Sequence, residues 1–436
     1  MESKSAAPVR YEKEIPVIGE YDVAVIGGGP SGVCAAVEAA RDGASVILIE
    51  TYGMLGGMAT TALVSPFMTC YDRDGNVPVV RGLFEEIVRR AEEKGGAFAP
   101  AGIEAPSIYT SFIAGYHRHV TPFDAFTLQV VLDELTREAG VKVLLYTKFC
   151  DAVTEDGKIT AAILAAEQGT VAVRAETFID CTGNASVAAA SGVETWKGRE
   201  DGQPPQPGTL MFEVEGAVDE LYDKRPPKPV KAYRLPTHGH YKVNHYRVHG
   251  VDAADSESMT EGHTEARKQV LQAYEVLRGQ PGFEAIRLSQ VASVLGVRES
   301  RHIRGEYRLT VADVTDPHPF EDSVCVFGYG LDIHPRDPSQ KGNFKIQVAP
   351  MYEIPFRCLV PVGVRNLLVA GKTISAESDT AGSFRVMPAA MALGQAAGAA
   401  AALAKRDGIL PRDVPASELR ALLRAHGALV SMSDCK

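Results

Sequence analysis

The sequence predicts an α/β fold with a parallel sheet, interrupted by an inserted α+β segment and resumed near the C-terminus. Three observations carry this. Two short apolar runs, Asp22-Val-Ala-Val-Ile26 and Ser45–Ile49, flank an alanine-rich segment that reaches about Asp42, which is the pattern of a βαβ unit with strands buried on both faces. A Pro- and Gly-rich patch, Gly202–Gly208, marks a change of texture. The α/β texture returns with Leu367-Leu-Val-Ala370 and a long alanine-rich segment. The expected division is therefore 21–201 and 352–405 as two parts of one domain, 202–351 as the insert, and 406–436 as a C-terminal helix and tail.

Each element has its own signal. Asp124–Ala139 places apolar residues at 126, 130, 131 and 135 and reads as a helix. Val141–Tyr146 reads as a strand, and Ala152–Ala165 and Thr170–Arg174 as antiparallel strands with Asp156-Gly157 in the turn. Phe178-Ile179 leads into Asp180-Cys-Thr-Gly183. In the insert, Tyr241–Val248 is a weakly alternating strand. Ser258-Met-Thr-Glu261 has the form of a capping box opening a helix with Ala266, Val270, Tyr274 and Leu277 on one face. Ile303, Tyr307 and Leu309 share a face of an extended run. The alanine-rich helix starts at Pro388, a favoured first helical position, and a last helix runs from about Pro415 to Ala425 before Gly427.

Composition narrows the function. Of 436 residues, 45% are apolar and 23% charged, as in an ordinary folded chain. Lys plus Arg is 45 and Asp plus Glu 55, a formal charge of -10, which opposes general nucleic-acid binding. The seven cysteines, at 34, 70, 150, 181, 325, 358 and 435, form no close pair, so neither a zinc site nor a redox dithiol is signalled and a reduced, cytoplasmic chain is expected. Met1–Glu20 has no apolar core of a secretory signal. Pro388–Ala404 is apolar but interrupted by Gln395 and short for a bilayer, so a buried helix is expected and no membrane partner.

The chemistry begins at Gly27-Gly-Gly-Pro-Ser-Gly32, a G-x-G-x-x-G turn that follows a strand, opens a helix, and is followed by Glu50 at the end of the next strand. Gly27 permits the tight turn, Gly29 lets backbone approach a pyrophosphate, and Gly32 lets helix and strand pack closely. The helix that opens at Pro30 and Ser31 presents free N–H groups to an anion, and Glu50 suits ribose hydroxyls. The turn alone does not separate NAD from FAD. A second glycine segment just past the ribose position, Gly53-Met-Leu-Gly-Gly-Met-Ala-Thr60 with Gly56, Gly57 and Met58, lies where the rest of FAD would run.

With that segment the chain resembles the FAD-dependent oxidoreductases of the glutathione-reductase-like Rossmann superfamily, in particular a large family carrying Gly-Gly-Met-Ala-Thr. The resemblance runs from about Tyr21 to Ala404. It includes Phe178-Ile-Asp-Cys-Thr-Gly183, Gly296-Val-Arg-Glu-Ser-Arg301, Asp332-Ile-His334, Tyr352-Glu-Ile-Pro355, Asn366–Gly371, and Arg385-Val-Met387 leading to Gly394-Gln-Ala-Ala-Gly398. It implies a discontinuous Rossmann-type FAD-binding domain with an inserted α+β substrate domain. It also implies non-covalent FAD held by the first turn, Glu50, Gly56–Met58, Thr182, Gly183, Gly371, Arg385 and Met387. Many superfamily relatives end the late strand in Gly-Asp, with the Asp on the ribityl chain. Here Gly371 precedes Lys372, leaving the backbone to serve and placing a cation where it can face a phosphate. The resemblance further implies that the helix after Pro388 points its N-terminus at the flavin pyrimidine ring and stabilises the anionic reduced form.

One dinucleotide turn and no dithiol argue against a disulfide reductase, and a flavin hydroxylase usually carries an Asp-Gly segment closing over the pyrophosphate, whereas Asp156-Gly157 falls in a hairpin turn. The expected activity is FAD-dependent dehydrogenation or oxidation of a small polar substrate at CH–OH or CH–NH, with an electron acceptor the sequence does not specify and homo-oligomerisation left open. The rivals are flavin-dependent reduction of an activated C=C bond and, in another class, RNA modification. Asp332 and His334 alternate onto one face, so the carboxylate can orient an imidazole base. Arg298 and Arg301, flanking Glu299, are expected to hold a carboxylate or polar substrate. Asn244, His245 and Tyr246 can line a polar pocket. His117 and His119 lack a third ligand, and no metal is expected.

Overall fold

The computed structural model describes residues 8–100, 114–218, 230–340, 344–346 and 349–435. Its centre is a seven-stranded sheet. Val17–Ile26 is fully buried from Val23 onward, where every residue is apolar, and pairs in parallel on both sides. Val23 faces Val46 in the strand Val46–Ile49, and Ile26 faces Asp180 in Gly169–Asp180. Lys142–Leu144 extends the parallel order beyond Val46–Ile49. Gly169–Asp180 is long enough to serve two neighbours. Its first half takes the antiparallel strand Lys158–Ala166, itself paired with Lys148–Glu155, and its second half takes the parallel strand Leu367–Val369. The chain thus comes back to the sheet near its C-terminus, beside the strand that ends at Asp180.

The helices Pro30–Arg41 and Met387–Asp407 pack backbone to backbone, and glycine makes this possible. A Cβ on Gly394 would lie 2.0 Å from the Ser31 carbonyl oxygen, and one on Gly398 2.3 Å from that of Ala35. Met387–Asp407 is the helix among the described residues that is long and apolar enough to cross a membrane, and its apolar window is 94% buried inside the protein. The last helix, Ala416–Ala425, buries Leu419 and Leu423 against this assembly.

A second core has a different architecture. The antiparallel strands Arg287–Val291, Phe212–Glu215, Tyr241–Val243 and Ala232–Arg234 form a sheet in that order. The helix Ser256–Arg278 covers it with Ala266, Val270, Ala273 and Leu277. Beyond it, Leu309, Val314 and the strands Ser323–Phe327 and Leu331–Ile333 contribute to the first core.

Several local expectations shift. The helix over 256–278 is capped by Asp255, whose carboxylate accepts from the Ser258 amide at 2.7 Å. The Ser258 hydroxyl accepts from the Asp252 amide instead, so the cap lies three residues before the expected one. The strand at Tyr241 stops at Val243, because the chain turns towards a cavity. In the extended run only Arg301–Ile303 is a strand, paired with Thr195–Lys197, while Leu309 makes an isolated bridge to Ala376. In the helix Ala125–Glu138 the buried face is Leu128, Val131, Leu132 and Leu135, and Phe126 is exposed.

Candidate active site

The glycine turn has the close approaches its spacing demands. A Cβ on Gly32 would sit 1.7 Å from the Gly27 carbonyl oxygen, and Gly27 itself has φ +104°. Gly29 differs: its added Cβ would meet only the Gly57 Cα, at 3.9 Å. Space is therefore kept open above Gly29, at the N-terminus of Pro30–Arg41, where Gly29 is the cap residue and no side chain caps the helix. An uncapped helix end facing open space is a ready anion site. The second glycine segment closes over it, with the Gly56 amide donating to the Gly28 carbonyl at 2.8 Å. Gly371, at φ +93°, sits against Ser31, so the end of Leu367–Val369 reaches the same turn.

Glu50 lies at the end of Val46–Ile49 and is 5% exposed. Its Oε2 accepts from the Gly28 amide at 2.7 Å and its Oε1 from the Tyr52 amide at 2.8 Å. Burial raises its pKa while these amides oppose the rise. The carboxylate thus ties the glycine turn to the following loop, and each oxygen keeps a lone pair for a sugar hydroxyl. Thr182 closes a turn on the buried Asp180, donating its amide and hydroxyl to Oδ1 at 3.0 and 2.8 Å, and Gly183 follows at φ +71°.

A cavity of about 220 Å³ opens between the nucleotide turn and the inserted sheet. Met58, Lys372, Val386 and Met387 line it from the first core, Thr209, Asn244 and Arg247 from the second, and Arg298, Asp332 and His334 complete it. Val386 caps Met387–Asp407 without a side-chain bond, so this helix also presents its N-terminus to the cavity. Arg385 lies just before it and donates to Gln206 Oε1 at 3.0 Å and to the Asp332 carbonyl at 2.8 Å, with the Asp332 carboxylate 3.5 Å away.

Asp332 and His334 are together, as their alternation implies: His334 Nε2 donates to Asp332 Oδ2 at 3.3 Å. The sequence does not foreshadow the other partner. Arg247 Nε donates to His334 Nδ1 at 3.3 Å. His334 is 4% exposed. Burial, reinforced by the Arg298 charge, holds its pKa well below 6.5 against the pull of Asp332. The imidazole is therefore neutral at neutral pH.

Arg298 and Arg301 are separated. Arg298 lines the cavity and donates Nη1 to the Pro207 carbonyl at 2.6 Å and to Thr209 Oγ1 at 2.9 Å. Arg301 starts the short strand Arg301–Ile303, lies outside the cavity lining and donates to the Asn184 carbonyl at 3.2 Å. The intervening Glu299 is buried and belongs to a structural network, accepting from Arg336 Nη1 at 2.8 Å and from the Gln206 amide at 3.0 Å. The pairing of Arg298 with Arg301 on one ligand is therefore replaced by a pairing of Arg298 with Arg247, which both donate to Thr209 Oγ1, at 2.9 and 3.1 Å. Of the stretch 244–246, Asn244 lines the cavity. Tyr116 and His117 also face it, whereas His119 turns away with its ring nitrogens 3.0 Å from the Pro100 and 3.1 Å from the Gly75 carbonyl oxygens. Arg247 and Tyr116 escape sequence reading because no local pattern marks them, and Lys372, expected to face a phosphate, lines this cavity and donates to the Val297 carbonyl at 2.8 Å.

Far from this cavity, Glu38, Asp42 and His426 come close enough to hold a cation. Glu38 is already engaged there, by His426 Nδ1 at 2.8 Å and Gln395 Nε2 at 3.0 Å.

Parallel strands, a glycine turn at an uncapped helix and an adjoining cavity define a Rossmann-type dinucleotide-binding oxidoreductase. The profile of the family described as FAD dependent oxidoreductase matches residues 22–423, and the chain belongs to that family. Its cofactor is FAD. The open space at Gly29, the uncapped helix and the Glu50 carboxylate fit that molecule's pyrophosphate and ribose. Among solved structures, the chain is similar to a geranylgeranyl bacteriochlorophyll reductase-like protein from Thermoplasma acidophilum, at 15% identity and TM-score 0.51, over 93% of this chain and 84% of that one. It is also similar to a myxobacterial FAD-dependent chondrochloren halogenase, at 13% identity and TM-score 0.48, over 94% and 79% of the two chains. A curated relative, the dihydrolipoyl dehydrogenase of Trypanosoma brucei brucei, is 43% identical over 47 residues, 11% of this chain and 10% of that protein's length.

Proposed function

We propose that the protein is a dehydrogenase or oxidase that takes a hydride from a small polar substrate at a CH–OH or CH–NH group, within the glutathione-reductase-like branch of the FAD enzymes. The observation that supports this is a neutral, buried His334 in the same cavity as Met58, Lys372 and Met387 of the nucleotide-binding core. Bound FAD supplies the hydride acceptor. His334 accepts the substrate's proton. Asp332 holds the Nε2 proton, which leaves Nδ1 as the basic atom. The 3.3 Å contact from Arg247 to that atom is at the loose end of a hydrogen bond, so a substrate hydroxyl or amine can displace it. Arg385 positions Asp332 through both its carbonyl and its carboxylate. Tyr116 and His117 also line the cavity, and Met58, Met68 and Met211 add apolar surface to it.

A second reading, reduction of an activated C=C bond, is favoured by Tyr116. Burial and the nearby Asp332 push its phenol up to about 12, so it stays protonated in the cavity as a proton donor. Hydroxylation has no comparable support: Asp156-Gly157 closes the hairpin between Lys148–Glu155 and Lys158–Ala166. The deciding experiment is anaerobic rapid mixing of the oxidised holoprotein with alcohols, amines and hydroxy acids. Bleaching of the flavin supports hydride removal. No bleaching, together with reoxidation of the reduced protein by activated alkenes, supports the second reading.

A further inference from the structure

We infer that the substrate is an anion whose carboxylate docks on the Nε–Nη2 edge of Arg298, with Lys372 beside it. The inference deepens the hydride-transfer reading and rests on it for the word substrate alone. Among the described residues, the cavity wall carries Arg247, Arg298, Lys372 and Arg385 and one carboxylate, Asp332. In a chain of formal charge -10, this is a local reversal of sign. Asp332 is already shared between His334 and Arg385.

Arg298 and Arg247 converge on one neutral oxygen, Thr209 Oγ1, at 2.9 and 3.1 Å. Two guanidinium groups brought together in a partly buried wall repel each other, and an anion relieves that repulsion. Burial and the charges of Arg247 and Arg385 depress the Arg298 pKa against the pull of Asp332 and Tyr233, and burial with Arg385 brings Lys372 to about 8 against the pull of Glu299.

The geometry of Arg298 selects the ligand. Nη1 is spent on Pro207 and Thr209, which fixes the plane of the guanidinium. Nε and Nη2 make no hydrogen bond among the described residues. They lie on the same side of the group and form the fork that accepts two carboxylate oxygens. Lys372 donates to the Val297 carbonyl at 2.8 Å, next to Arg298 in the chain, and has two further N–H groups for the same anion. The carboxylate thereby anchors one end of the molecule, while its CH–OH or CH–NH end is left for His334.

The test is calorimetry on the FAD-loaded protein with acetate, lactate, succinate and benzoate, each against its amide. At least one acid should bind, and its amide at least about tenfold more weakly. Arg298→Lys keeps the charge but loses the fork, and should weaken the acid about 10- to 100-fold with FAD content unchanged. Lys372→Met should weaken it severalfold. Acid binding to the wild-type protein should also weaken as pH rises through about 8, where Lys372 loses its proton. If no acid binds, if amides bind equally well, or if Arg298→Lys binds the acid unchanged, the inference fails. Loss of FAD from Arg298→Lys also overturns it, because Arg298 would then serve the cofactor. Should that variant not fold, Lys372→Met and the acid-to-amide ratio decide. These are binding readouts without turnover, so tight acid binding with no flavin bleaching would refute the hydride reading and leave the anion site standing.

Discussion

Replacing Gly29 and Gly32 separately by alanine should separate ligand binding from folding within one four-residue turn. At Gly32 the new methyl would lie 1.7 Å from the Gly27 carbonyl oxygen, a backbone atom that cannot swing aside. Strand and helix would have to part by more than an ångström, and overpacking of that kind costs about 1–3 kcal/mol or more. At Gly29 the backbone has φ -72° and ψ -173°, which alanine adopts freely, and the nearest atom to the methyl is the Gly57 Cα at 3.9 Å. The apoprotein should therefore change by less than about 0.5 kcal/mol. The methyl would, however, occupy the space into which a pyrophosphate must come, and a loss of about 2 kcal/mol weakens FAD roughly 30-fold. Urea unfolding of the two apoproteins and FAD titration by flavin fluorescence measure the two quantities. Wild-type FAD affinity in Gly29→Ala would refute the placement of the pyrophosphate. Equal destabilisation by both substitutions would refute the claim that the space at Gly29 is open.

His334→Ala should keep FAD yet slow anaerobic flavin reduction by about 10²–10⁴, while Asp332→Asn, which disturbs the tautomer rather than removing the base, should cost less. An unchanged rate in His334→Ala would move the role to another group, and loss of FAD would make His334 a residue of the cofactor pocket. Because burial holds His334 below its usual 6.5, the base is already deprotonated across the neutral range, so the rate should show no inflection near 6.5, and a clear rise through that pH would contradict the burial argument. Gly394→Ala puts a methyl 2.0 Å from the Ser31 carbonyl oxygen and should destabilise the fold by about 1–3 kcal/mol, read as a lower urea midpoint. With a formal charge of -10, salt-sensitive RNA binding in a filter assay should be absent, and its presence would revive RNA modification as a function.

The nucleotide half was legible in the sequence because its chemistry is local. A strand, a glycine turn and a helix must be contiguous to put backbone amides around a phosphate, and Gly27, Gly29, Gly32 and Glu50 fall within 24 residues. The helix Met387–Asp407 was legible for a similar reason: backbone contact demands glycine and alanine at helical spacing, as at Gly394 and Gly398. That Asp332 and His334 share a face was legible from period-two alternation. The cavity was decided by tertiary structure. Arg247 reaches His334 across 87 residues of chain, and it does so because the strand at Tyr241 ends early and the chain turns inward. Lys372 meets Arg298 at the Val297 carbonyl, 75 residues away. Arg301, the expected partner of Arg298, is carried off by strand pairing with Thr195–Lys197. Sequence spacing records the repeat of a helix or a strand, whereas a wall built from a sheet edge, a loop and a helix terminus has no repeat, and its charges become neighbours only when the two cores close on each other.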